Sequence, residues 1–137
     1  MRYPVKLKAD GEYIMASFPD VPGAHTVGDD KADALRHALD ALETMLMYIF
    51  GTGEKIPLPS PLKRGQAWVE LPPPVAAKIL LHNEMLRQKV RPIELARRMG
   101  VPRQEITRVL NLKHNTKIET TAQALNALGK RLELRVA

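Results

Sequence analysis

The chain has 137 residues, no cysteine, and 21 Lys+Arg against 15 Asp+Glu, for a formal net charge of +6. That length builds one modest core or two small ones. The lack of cysteine excludes a disulfide framework and any thiolate metal site. No apolar run is long enough to span a bilayer, and Met1–Lys6 lacks the apolar stretch of a secretion signal, so a cytoplasmic location is expected.

The charge is unevenly placed. Residues 1–70 carry 8 Lys/Arg and 10 Asp/Glu, a net of −2, whereas residues 71–137 carry 13 and 5, a net of +8. A basic half points to nucleic acid, because phosphate neutralisation dominates such affinity. It does not point to a membrane surface, because no basic amphipathic helix turns bulky apolar residues outward.

Tyr3–Lys8 alternates apolar and polar residues and predicts a strand. The Asp10-Gly11 turn and the apolar-rich Tyr13–Phe18 predict its hairpin partner. Residues 19–23 form a loop and Ala24–Val27 a short third strand ended by Gly28. Asp29 or Asp30 then caps a helix, with Asp33 near a capping-box position. Leu35, Ala38, Leu39, Leu42, Met45, Leu46 and Ile49 mark that helix to about Phe50, and their burial is worth about 1.5–3 kcal/mol per large side chain. Met47 stands off this stripe, where it faces core or a partner. Pro57, Pro59 and Pro61 make an extended loop. Gln66–Glu70 reads as the last strand of the first domain, with Trp68 in core or interface in preference to a base-stacking platform.

Strands on both sides of one helix give a small α+β layer over residues 1–70. Leu71–Pro74 is a stiff linker, and residues 75–137 form a second, all-α domain. Its first helix runs from about Pro74 to Lys89, with Val75, Ile79, Leu86 and Val90 marking the buried face. Its last helix runs from Ile118 to Leu128, with Ile118, Ala122, Leu125 and Leu128 inward and Gly129 as its cap. Leu132–Val136 alternates like a terminal strand, which needs a partner strand, most simply that of a second copy.

Between these helices lies the most informative stretch, residues 92–111. Leu95, Ala96 and Met99 share one helical face. Gly100 sits where a turn needs positive φ, Val101 is the buried turn residue, and Pro102 opens the next helix. Ile106, Val109 and Leu110 supply the second apolar face. This is the logic of a helix-turn-helix, whose second helix enters the DNA major groove. Arg103, Gln104, Thr107 and Arg108 occupy its outer face, where Arg pairs bidentately with guanine and Gln with adenine. Lys113, Asn115 and Lys117 lie in the polar basic loop that follows and suit phosphate. A helical hairpin with a solvated basic face is the plainer alternative.

No catalytic constellation stands out. Two-metal phosphoryl transfer needs converging carboxylates, but Asp10 is explained by its turn and Asp29 and Asp30 by helix capping. The inward strand positions hold Val5, Leu7, Ile14 and Ala16. His25, His37, His82 and His114 have no metal-ligand spacing, and only His114 sits where it suits phosphate. No enzyme activity, metal or cofactor is expected.

Residues 75–130 resemble the DNA-binding domain of Cro/C1-type phage repressors. On that resemblance Arg103, Gln104, Thr107 and Arg108 face base edges or flanking phosphates, and Lys113, Asn115 and Lys117 match the phosphate-gripping loop. The whole chain resembles HicB-type antitoxins in three stretches: Met1–Val5, Ser17–Asp29 running into an Ala/Leu-rich helix, and Ile56–Pro61. That resemblance implies a degraded RNase-H-like α+β domain joined to a DNA-binding domain. It also implies a small, basic HicA-type ribonuclease toxin as partner, and repression of the protein's own operon. Against such a toxin the acidic first domain offers Glu12, Asp20, Asp29, Asp30 and Asp33, since complementary charge speeds encounter and sets register. A homodimer or homotetramer is expected. The alternative is a stand-alone helix-turn-helix repressor whose first domain senses a ligand or oligomerises.

Overall fold

The computed structural model describes all 137 residues, and they divide into two units: Met1–Thr52 with Ile56–Pro72, and Gly53–Lys55 with Pro73–Ala137. The fold class is α+β, with an antiparallel sheet and helix in the first unit and helices alone in the second. No helix is long and apolar enough to cross a membrane.

In the first unit β1 (Arg2–Asp10), β2 (Tyr13–Ser17), β3 (His25–Gly28) and β4 (Ala67–Glu70) form one antiparallel sheet in the order β3-β2-β1-β4. The β1–β2 hairpin turns at Gly11, whose φ of +61° is left-handed backbone that glycine adopts without steric cost. Strand alternation sends Tyr3, Val5, Ala16 and Val69 inward, all buried. Helix α1 (Lys31–Thr52) covers that face with Ala34, Ala38, Leu42, Leu46 and Ile49, spaced three or four residues apart on one stripe.

The start of α1 is a reciprocal cap. Asp30 Oδ1 accepts the Asp33 N–H at 2.8 Å, and Asp33 Oδ2 accepts the Asp29 N–H at 2.9 Å. The helix begins so close to β3 that a Cβ placed on Gly28 would lie 2.2 Å from the Ala34 nitrogen. After α1 the proline-rich segment folds back with Ile56 buried, and the Tyr3 hydroxyl donates to the Pro57 carbonyl at 2.7 Å.

The second unit holds α2 (Pro73–Gln88), α3 (Pro92–Met99), α4 (Arg103–Val109) and α5 (Ile118–Ala127). Its core gathers Leu81, Met85, Leu95, Ile106, Val109 and Leu125. His82 Nε2 bonds the Glu54 carbonyl at 2.7 Å, which fixes the short 53–55 segment to α2.

Three expectations need correction. On α2 the buried stripe is Ala77, Lys78, Ile79, Leu81, His82 and Met85, while Leu86 is exposed and Val75 half-buried. Hydrophobicity alone mislocated that face, because one of its members is a lysine. On α5 the inward face is Thr121, Ala124, Leu125 and Leu128, with Ile118 and Ala122 half-buried. The polar Thr121 sits at a core position and shifts the stripe by one residue. Residues 132–136 form no strand, because the single chain offers them no neighbour to complete a ladder.

Candidate functional site

The turn between α3 and α4 is built as a tight corner. Gly100 adopts φ 66° and ψ 34°, and its N–H returns to the Arg97 carbonyl at 3.2 Å. The Val101 N–H reaches the Ala96 carbonyl at 3.1 Å, so two carbonyls left open at the helix end are satisfied. Pro102 stands one position outside α4 as its N-cap, with extended backbone. Leu95, Ala96, Ile106 and Val109 are buried, whereas Met99, Val101 and Leu110 are half-buried and pack against the same core.

The outer face of α4 carries Arg103, Gln104, Thr107 and Arg108, all exposed. Thr107 is partly committed, since its hydroxyl donates to the Arg103 carbonyl at 3.2 Å. Beyond α4 the chain turns through residues 110–117. Asn111 Oδ1 accepts the Lys113 N–H at 3.0 Å, and His114 Nδ1 lies 3.0 Å from the Thr116 hydroxyl. Arg108, His114, Asn115 and Lys117 line an open cleft of about 290 Å³. Three other cations of the unit are paired, in Arg98–Glu94, Arg87–Glu84 and Arg131–Glu133, while Lys89, Arg91, Arg97, Lys130 and Arg135 are not. Arg103, Arg108, Lys113 and Lys117 make no ion pair, and with the unpaired Glu105 they leave a net positive surface along α4 and its loop.

One residue of this region was not anticipated. Lys78 of α2 is 1% exposed. Its Nζ donates to the carbonyls of Asn111 at 2.6 Å, His114 at 2.7 Å and Arg108 at 3.3 Å. A single ammonium thus ties the last turn of α4 to the first half of the loop after it. Burial pushes its pKa below the ordinary lysine value. The three carbonyls use all three of its donors, which is how a buried cation is tolerated. A signal existed in the sequence: Lys78, Leu81, His82 and Met85 follow at helical intervals on one stripe.

The five acidic candidates are scattered and differ in availability. Asp20 holds the proline-rich segment, accepting the Ser60 N–H at 2.8 Å and the Ser60 hydroxyl at 2.6 Å. Asp30 and Asp33 are engaged in the α1 cap, and the Asp29 N–H, then the Arg36 guanidinium, hold the Asp33 carboxyl below the usual range. Glu12 and Asp29 are exposed and their carboxylates bond to nothing in the chain. No three His, Asp or Glu side chains converge as metal ligands would.

Residues 2–80 match the model of a HicB-like antitoxin of bacterial toxin–antitoxin systems. The chain is 48% identical over 138 residues to antitoxin HicB 1 of Photorhabdus laumondii, covering 99% of this chain and 87% of that protein. It is 48% identical over 136 residues to antitoxin HicB of Escherichia coli, covering 98% of both. Against antitoxin HicB of Pseudomonas fluorescens it is 34% identical over 135 residues, covering 98% of this chain and 92% of that protein.

Proposed function

Because this chain belongs to the HicB-like antitoxin family of bacterial toxin–antitoxin systems, we propose that it has two activities. Residues 1–70 neutralise a HicA-type, mRNA-cleaving toxin, and residues 75–137 repress the protein's own operon. Neutralisation is steric: the first unit covers the toxin's RNA-binding surface and performs no chemistry. Glu12 and Asp29 are its most available acidic contacts.

The observation that supports the DNA reading is the αL turn at Gly100, followed by a helix with Arg103, Gln104, Thr107 and Arg108 exposed; we read α4 as a Cro/C1-type recognition helix. Arg103 and Gln104 read base edges, Thr107 and Arg108 bases or flanking phosphate, and Lys113, Asn115 and Lys117 hold the backbone. Such domains bind two half-sites as two-fold dimers. The tail supplies a means of dimerisation, because Leu134 is 77% and Val136 98% exposed in a segment that alternates like a strand. Pairing it with its own copy buries both and completes the ladder.

The test is operator binding by the Arg103→Ala/Gln104→Ala double variant. Operator affinity falls by at least about tenfold, since each bidentate base pair is worth about 1–3 kcal/mol, and base preference relaxes while toxin neutralisation is retained. Unchanged operator affinity refutes the recognition-helix assignment.

A further inference from the structure

The first unit has a second face. Partners across an antiparallel ladder point to the same side. The register Pro4↔Trp68, Arg2↔Glu70, Lys6↔Ser17, Lys8↔Met15, Met15↔Val27 and Ser17↔His25 therefore puts all these residues on the side of the sheet opposite α1. The helix of the first unit, α1, lies on the other side, and of this side's residues Pro4 is buried. Trp68 is 43%, Val27 49% and Tyr13 52% exposed. Arg2 lies over the Trp68 ring, 4.3 Å from its centroid, and its Nε is 3.5 Å from Glu70. Lys6 and Lys8 are exposed where β1 has run past the end of β4, and they make no ion pair. On this side β1 turns three cations, Arg2, Lys6 and Lys8, with Asp10 at its end and Glu70 beside Arg2 on β4.

We propose that this open sheet face binds single-stranded RNA, with Trp68 as its stacking platform and Arg2, Lys6 and Lys8 as its phosphate contacts. The occupant is selected by an exposed tryptophan and exposed cations on the same side of one sheet. A four-stranded sheet that exposes aromatics among cations is the arrangement that stacks two or three splayed bases while tracking the backbone. From the Pro4–Trp68 row to the Asp10–Tyr13 row the strand runs about 20 Å, enough for such a segment. Ser17 and His25, beside Lys6, supply hydrogen-bonding groups for 2′-hydroxyls, which DNA lacks.

Trp68 is the only tryptophan of the chain, so its fluorescence reports on this face alone. The full-length protein is titrated with an unstructured U-rich 12-nucleotide RNA, the DNA of the same sequence, and the purified toxin. The expected result is saturable quenching by the RNA in the micromolar range that weakens with salt. Quenching persists in Arg103→Ala/Gln104→Ala and weakens by about tenfold or more in Lys6→Glu/Lys8→Glu. Lys6→Gln/Lys8→Gln gives a smaller loss with an unaltered melting curve, which separates charge from folding. No RNA response, an equal response to DNA, a response to toxin alone, or quenching indifferent to both lysine variants overturns the proposal.

Discussion

Replacing Lys78 with Met keeps an unbranched apolar stem and deletes the ammonium. Two short bonds, at 2.6 and 2.7 Å, and a longer one at 3.3 Å are lost. Bonds to a charged group are worth about 1.5–3 kcal/mol each, so the short pair alone accounts for a gross loss of about 3–6 kcal/mol. Part of this returns, because the cost of burying the ammonium disappears. Asn111 and His114 are also exposed residues, so water replaces the ammonium at part of the loop. A net destabilisation of about 2–3 kcal/mol is left. In urea it lowers the unfolding midpoint by about 1–2 M. Amide exchange accelerates at residues 111–117, where the tether is lost, before it does along α2. On the proposed DNA reading, operator affinity drops by about tenfold or more under conditions where the protein remains folded, because the loop no longer holds Lys113 and Lys117 in place. A Lys78→Met variant with the wild-type urea midpoint, loop exchange and operator affinity refutes the argument.

Two further outcomes are expected. Lys113→Ala with Lys117→Ala reduces the slope of log affinity against log salt by about 2, equally for operator and random DNA. A loss confined to one operator contradicts a phosphate role. Thr121→Val is neutral to stabilising by about 1 kcal/mol, since it removes a buried hydroxyl without a hydrogen-bond partner and keeps the shape. Calorimetric melting that shows a clear loss of stability identifies a partner for that hydroxyl.

The features legible in the sequence were those written in local chemistry. Asp30 and Asp33 sit at capping spacing before an apolar stripe, Asp10-Gly11 closes a hairpin, and Gly100 ends a helix where left-handed backbone is needed. Each acts on neighbours within a few residues. Features that depend on distant carbonyls were not legible in this way. Lys78 belongs to the core only because residues 108–114 bring three acceptors to it, and hydropathy counts a lysine as solvated. Leu86 carries the opposite error, an apolar residue left exposed. The availability of the acidic candidates was hidden for a similar reason: Asp20 is engaged by Ser60, forty residues away. The cations of β1 were visible as an alternation, but their exposure depended on which side of the sheet α1 would choose.

Gly28 makes that choice of side unforgiving. Its missing side chain is the space into which the backbone of Ala34 descends, with the Ala34 Cα only 2.6 Å from where a Cβ would stand. In a saturation library screened for folding, position 28 is expected to return one residue, whereas exposed Val27 and Asp29 on either side accept many. A mutational map of the domain thus carries a notch one residue wide, a landmark by which strand and helix can be aligned without coordinates.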